Sequence, residues 1–208
     1  TLCCPSRQAP SAMQKLKGAV LEPPKLYFDQ KTWIQTKLGN KISKNSLLYG
    51  SSKIRVLGKT IVEPGVIIRG DLATVDLGKN CIICENSVIR PPDQRFPKKL
   101  VFIPLKIGDH CIIERNSIIQ AAKIEDYVQI GENCVIGKRC MISSCVKILD
   151  DTVLAPNTVC PPFTVFGGSP GKVVGRLPPS FQKFCKEQTT TFYRNFVEGK
   201  ASTSSSAK

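Results

Sequence analysis

Aliphatic residues recur every six positions along most of this chain, and few folds accommodate that period. From Ile42 the series runs through Leu48 and Ile54, slips by one residue to Ile61 and Ile67, and resumes at Leu77, Ile83 and Ile89. Residues 90–106 interrupt it. It returns at Ile107, Ile113 and Ile119, slips to Ile124, and continues through Ile130, Ile136, Ile142, Ile148 and Leu154. Four positions after most of these aliphatics stands a small residue: Ser46, Ser52, Gly58, Gly65, Cys81, Ser87, Cys111, Ser117, Cys134, Cys140, Thr152 and Thr158. Glycine directly follows the aliphatic at Gly78, Gly108, Gly131 and Gly137.

A period of six suits neither an α-helix nor a simple hairpin array. Three short faces close one triangular coil of about eighteen residues, and successive coils stack at about 4.8 Å. Each coil then pairs its backbone groups with the coils on either side. The aliphatic fills the interior, and the small residue fits where a corner crowds it. The expected fold class is all-β, a single-stranded left-handed β-helix of hexapeptide repeats with about six or seven coils and a C-terminal α-helix.

The rest of the chain frames that array. Residues 1–25, with Pro5, Pro10, Pro23 and Pro24, read as a flexible extension, and residues 26–41 as a lead-in covering the first coil. The β-helix is expected over 26–177, with an inserted loop at 90–106. Pro178 and Pro179 introduce an amphipathic helix over 178–198, in which Phe181, Phe184, Cys185, Gln188, Phe192 and Phe196 share one face. That face is expected to lie along the outside of the β-helix. Residues 199–208 form a serine-rich, low-complexity tail, expected to be disordered.

Thirty Lys and Arg against sixteen Asp and Glu give a net charge of +14, which invites a nucleic-acid reading. The positions argue against it. Residues 1–25 hold a net +3 and the tail +2, leaving +9 scattered singly over the body, with neither a dense block nor interleaved aromatics. An acidic protein partner accounts for the charge equally well. The longest apolar runs, such as Leu100–Leu105, fall far short of a bilayer span, so no membrane insertion is expected. No charged and apolar leader opens the sequence and no Asn-x-Ser/Thr acceptor occurs, so a cytosolic setting is expected. The ten cysteines fit it: Cys81, Cys111, Cys134 and Cys140 take the small inward position, where a thiol packs as a small hydrophobe. Cys81 and Cys84 form a C-x-x-C with no second pair at zinc-finger spacing.

Ile68-Arg69-Gly70-Asp71-Leu72-Ala73, followed by Leu77-Gly78, resembles the γ-class carbonic anhydrases of the hexapeptide-repeat superfamily. That resemblance implies a zinc held by three histidines, but the aligned positions carry Arg90, Arg115 and Gln120. Cys84 and Glu85 replace the usual glutamine–aspartate pair. A guanidinium offers no lone pair to a metal, so neither metal nor cofactor is expected. Arg69 and Asp71 are expected to remain as a structural ion pair. Acyltransferases of the superfamily need a histidine base, and the single histidine, His110, falls at an outward turn position, where a surface side chain is expected. Gly167–Lys172 is one residue short of a phosphate loop and is followed by Val173.

Several further segments point elsewhere. Ser87-Val88-Ile89-Arg90-Pro91-Pro92, a Phe-containing insertion ending at Pro104–His110, and Ala121–Ile124 follow one pattern, as do Asn133–Cys140 and Lys147–Leu154. Pro161-Pro162-Phe163-Thr164-Val165-Phe166 and the Gly-rich turn to Gly171 complete it. Over residues 26–197 the chain resembles the dynactin subunit 5 family, the smaller pointed-end β-helix subunits of dynactin. The resemblance implies a non-enzymatic subunit that pairs with dynactin subunit 6, a second β-helix. It also implies neighbours in the pointed-end actin-related protein and the large zinc-binding dynactin subunit, and service to dynein adaptors in microtubule and endosome transport. The alternative is a hexapeptide-repeat enzyme, acyltransferase or anhydrase-like, with a non-standard site.

The local contact candidates lie at the insertion: Arg90, Arg95, Phe96, Lys98, Lys99, Leu100, Phe102 and Ile103. Apolar side chains there stand among lysines and arginines, a composition suited to a partner. The same loop folded back over its own coil is the competing reading.

Overall fold

A computed structural model describes residues 26–199 other than Gln30 and Lys98. The expected extension over 1–25 and the tail beyond Gly199 lie outside the described residues. Two short strands lead in, β1 (Leu26–Phe28) and β2 (Trp33–Gln35). The first coil comprises β3 (Lys41–Ser43), β4 (Leu47–Tyr49) and β5 (Ile54–Gly58). The second has β6 (Ile61–Val62), β7 (Ile67–Arg69) and β8 (Val75–Lys79). In the third, β9 (Ile82–Ile83) and β10 (Val88–Ile89) precede a hairpin of β11 (Asp93–Phe96) and β12 (Lys99–Phe102), and β13 (Leu105–Ile107) completes the turn. The fourth holds β14 (Ile112–Ile113), β15 (Ile118–Ile119) and β16 (Lys123–Ile124). The fifth holds β17 (Gln129–Ile130), β18 (Val135–Ile136) and β19 (Met141–Ile142), and the sixth β20 (Lys147–Ile148), β21 (Val153–Leu154) and β22 (Val159–Cys160). A last strand, β23 (Thr164–Gly167), begins a seventh turn, and β24 (Lys172–Arg176) folds back on it. Helix α1 (Phe181–Asn195) and β25 (Phe196–Glu198) follow, with β25 pairing parallel to β1.

The strands stack into three parallel faces of a left-handed β-helix. Face one runs β3-β6-β9-β14-β17-β20-β23 and is closed at its ends by antiparallel β2 and β24. Face two runs β4-β7-β10-β15-β18-β21, and face three β5-β8-β13-β16-β19-β22. One inward aliphatic per face per coil forms the core: Val62, Ile83, Ile113, Ile130 and Ile148 on face one, and Ile68, Ile89, Ile119, Ile136 and Leu154 on face two. Each is almost wholly removed from water, a gain of about 1.5–3 kcal/mol per side chain. The corners need left-handed backbone. Asn86, Asn116, Asn133 and Asp151 supply it between faces one and two, with φ of 58, 56, 54 and 56°. Their side chains ladder along the axis, Asn116 Nδ2 donating to Asn133 Oδ1 and Asn133 Nδ2 to Asp151 Oδ1, both at 3.2 Å. Gly78 permits the closest approach of coils, since a Cβ there would fall 2.3 Å from the Gly108 carbonyl oxygen.

The structure moves the expected register in the second coil. Ile42 pairs with Val62 and Leu48 with Ile68, so Val62 and Ile68, rather than Ile61 and Ile67, face inward. The cause lies one face earlier: β5 runs five residues, and it is Val56 that aligns with inward Leu77, two places beyond Ile54. From Val56 the spacing of six carries to Val62 and Ile68, and the five-residue β8 takes up extra length again before Leu77. Gly65 correspondingly takes the corner at φ 74° and Val66 the inward slot.

The C-terminal helix is shorter than the expected 178–198. It occupies Phe181–Asn195, and Phe196–Glu198 leave it to pair with β1. Phe181, Cys185 and Thr189 are its buried residues. Phe184, expected on the same face, is 54% exposed, because the buried stripe follows 181, 185 and 189 and leaves 184 on its flank.

Candidate functional site

The insertion at the corner between faces two and three is an antiparallel hairpin that projects from the coil stack. Asp93 lies opposite Phe102, Arg95 opposite Leu100 and Phe96 opposite Lys99. Its base is pinned to the fifth coil, where Lys138 Nζ bonds the Asp93 carboxylate at 2.7 Å and holds its pKa below the usual carboxylate range. Towards the tip Phe96 and Leu100 are 47 and 49% exposed, and Arg95 and Lys99 are exposed beside them. Phe102 and Ile103 are half-buried nearer the base. Lys98 lies outside the described residues. Arg90 is half-buried at the same corner.

The positions aligned with anhydrase zinc ligands do not converge. Arg90 and Gln120 follow face two, whereas Arg115 stands at the opposite border of that face, 3.8 Å from Glu85. Two guanidiniums and an amide do not fit a zinc site. Arg69 and Asp71 form the expected pair, with two bonds of 2.8 Å, and the Arg69 guanidinium lies 5.3 Å from the Tyr49 ring centroid.

His110 departs from expectation. It does take an outward corner position, at φ 56°, but it is only 8% exposed because α1 lies over it. The neighbouring coil's Tyr127 takes the equivalent corner at φ 61°, so the two rings stack 5.4 Å apart and nearly parallel. Thr189 donates its hydroxyl proton to the Cys185 carbonyl at 2.9 Å. Its oxygen is also hydrogen-bonded to His110 Nδ1, 2.7 Å away. Burial holds the imidazole below its ordinary pKa. A histidine so committed beneath a helix is a packing group, with no access to a substrate.

The cysteines behave as small core residues: Cys81, Cys111, Cys134 and Cys140 are at most 1% exposed. Burial pushes the Cys134 thiol up to about 11, which leaves it protonated and unreactive near neutrality.

Sequence periodicity located the inward residues but not what covers the outward ones. On face one the outward column is Lys41, Ile61, Ile82, Ile112 and Gln129, all buried, then Lys147 and Val165, half-buried. Helix α1 spans it: Gln129 Nε2 donates to Gln188 Oε1 at 2.6 Å, while Ile61 packs with Phe28, Phe192 and Phe196. At the end of the column the Lys41 ammonium donates to the Phe196 carbonyl and sits 4.2 Å from the Tyr193 ring centroid. On face three the outward column is Arg55, Asp76, Lys106 and Lys123, then Met141 and Val159. A signal for all of this existed in the residue preceding each inward aliphatic.

Against known proteins, residues 21–201 match the family described as Dynactin subunit 5. A relative named dynactin subunit 5, from Dictyostelium discoideum, is 48% identical over 171 residues, 82% of this chain and 86% of its own length. Gamma carbonic anhydrase 1 of Arabidopsis thaliana, a mitochondrial protein, is 25% identical over 66% of this chain and 49% of its own. Among solved structures, a mutant of AntD, an N-acyltransferase from Bacillus cereus, in complex with dTDP and coenzyme A, superposes with a TM-score of 0.61 at 11% identity. It covers 80% of this chain and 99% of that one, and at such identity it speaks for the shared coil architecture alone. The match across nearly the whole described chain, with close to half the residues identical to the Dictyostelium protein, settles the lineage: this chain belongs to the dynactin subunit 5 family.

Proposed function

We propose that the chain is a non-catalytic structural subunit of dynactin, acting at the pointed end of that complex. The observation that carries this reading is the family match over residues 21–201. The burial of His110 agrees with it, since the one histidine of the chain is committed to Thr189 instead of to a substrate. In this reading the chain pairs with dynactin subunit 6 and adjoins the pointed-end actin-related protein and the large zinc-binding subunit. Its place is the cytoplasm, on microtubules through dynactin, where it helps dynein adaptors attach endosomal cargo. The hairpin serves as one contact: Arg90, Arg95, Phe96, Lys98, Lys99, Leu100, Phe102 and Ile103 form or flank an apolar tip ringed by cations, suited to an acidic partner surface.

The test is incorporation. Lys99→Glu and Phe96→Ala alter exposed positions and are combined with Lys98→Glu, and the circular dichroism spectrum should stay unchanged. Co-purification of the tagged chain with other dynactin subunits should fall roughly ten-fold, as for loss of a small apolar and cationic anchor. Wild-type recovery with the triple variant removes the hairpin from the interface. Failure of the unaltered chain to bring down any dynactin subunit removes the whole reading.

A further inference from the structure

The three faces are finished differently. Face one's outward aliphatics Ile61, Ile82 and Ile112 are buried, Ile61 against Phe192 and Phe196, and face three presents charge over four coils, with Arg55 3.3 Å from Asp76 and Lys123 2.7 Å from Glu125. Face two has neither treatment. Its outward column is Leu47, Ile67, Val88, Ile118, Val135 and Val153, aliphatic in all six coils. Leu47 is 49% exposed and Ile118, Val135 and Val153 are 37–38% exposed. A continuous apolar stripe of this length on a water-facing sheet marks a surface that something covers.

The borders of the stripe say what. Along the corner between faces one and two stand Glu63, Glu85, Glu114, Glu132, Asp150 and Asp151, six of the sixteen acids of a chain whose net charge is +14. Only Lys44 and Arg115 interrupt that corner. Burial, and after it the neighbouring carboxylates, push Glu63 upwards and Glu114 up to about 7, and Arg115, 3.8 Å from Glu85, is the one ion-paired cation at that corner among the described residues. Five coil spacings of about 4.8 Å give a stripe of about 24 Å, the length of about sixteen helical residues at 1.5 Å each. The molecule itself shows a helix laid along the coil stack: α1 sets its buried stripe at 181, 185 and 189 on the corner residues Cys145, Tyr127 and His110, while Phe192 reaches the face-one aliphatic Ile61 and Gln188 bonds Gln129.

We infer that face two is the docking surface for an amphipathic α-helix of a partner protein, its apolar stripe on Ile118, Val135 and Val153 and a lysine- or arginine-bearing flank against the acidic corner. The inference depends on none of the partners named above. The flank, not the stripe, gives direction: a helix laid the other way round would bring its cations to the Arg69 and Arg90 border and lose the match.

The test places photo-reactive p-benzoylphenylalanine at Val135, or at Lys123 on face three, in the full-length chain expressed in intact cells. Irradiation at Val135 should give roughly ten-fold more product than at Lys123, as expected for a covered against a solvated face. The linked peptide, sequenced by mass spectrometry, should carry apolar residues at three- and four-residue spacing with Lys or Arg along one flank. Glu132→Lys with Asp150→Lys should cut the Val135 product roughly five-fold. Equal labelling at both positions, or none, overturns the proposal. So does a linked peptide from a second copy of this chain, from residues 1–25, or from a strand of another β-helix. Unchanged yield in the charge variant overturns the cationic flank. Dynactin subunits in the same purification report separately on the function proposed above.

Discussion

Thr189 joins the two halves of this molecule through one oxygen. It stands 2.9 Å from the Cys185 carbonyl oxygen and 2.7 Å from His110 Nδ1, so helix and coil share a buried bond across 79 positions of sequence. Thr189→Val keeps the shape but leaves His110 Nδ1 without this partner, at a cost of about 1–3 kcal/mol. Hydrogen exchange should report that loss locally, as faster exchange over residues 181–195 with the coil amides unchanged. The imidazole also makes stability depend on pH. Burial lowers its pKa from 6.5, with Asp109 and Asp126 opposing and Lys186 reinforcing. The unfolded chain therefore takes up a proton before the folded one does. The stability this residue contributes is complete above about pH 6.5 and falls as pH drops below it. His110→Phe, which retains the stack on Tyr127, should flatten that acid limb of a thermal-melt series. An unchanged limb would assign it to other groups.

At the scale of an element, the corner between faces one and two concentrates both the ladder that shapes the coil and the charge that strains it. Glu114 is raised to about 7 mainly by burial, then by Asp150 and Glu132. Its unfolded counterpart titrates near 4.5, so folding loses stability as pH climbs from about 4.5 to about 7. Glu114→Gln removes that loss. The variant should be more stable at pH 8 by about 1 kcal/mol, a figure reduced because the carboxyl is partly solvated, and no more stable at pH 4.5. Denaturant melts at the two pH values decide it. These elements also show what was legible in advance. From Leu77 to Leu154 the inward residues could be read directly, because strands of two and corners of four keep the period at six apart from one step of five before Ile124 and the hairpin. Around Ile54, Ile61 and Ile67 they could not, because the five-residue β5 consumes extra chain without changing its composition. The hairpin was legible as an interruption with an apolar, cationic tip. The burial of His110 was not, since only the fold brings residue 189 to residue 110. The exposure of Phe184 was missed because helical periodicity gives a face, and packing chooses its centre.

Taken whole, a coil stack is nearly one-dimensional, each coil touching only its neighbours, so such arrays fray from their ends. Helix α1 changes that. It begins against the later coils, where Phe181 and Cys185 pack with Cys145 and Tyr127, and it ends at the first coils, where Phe196 packs with Ile61 and Phe28. One element thus ties the far coils to the near ones. The near end is fastened by Lys41, whose ammonium donates to the carbonyls of Phe196 and Tyr193 and lies within the aromatic group of Phe28, Tyr193 and Phe196. Burial lowers its pKa, and the group stands at the C-terminal, negative end of the helix. Lys41→Met retains the aliphatic stem and deletes the donor, which should cost about 1–3 kcal/mol. If the helix is a staple, the loss will be unevenly spread. Amides of residues 41–58 and 196–199 should exchange markedly faster, the coils around Ile119 and Ile136 should hold their protection, and the melt should broaden as the first coils separate from the rest. A uniform rise in exchange across all six coils, with a sharp melt, would mean that the stack is cooperative without its clasp.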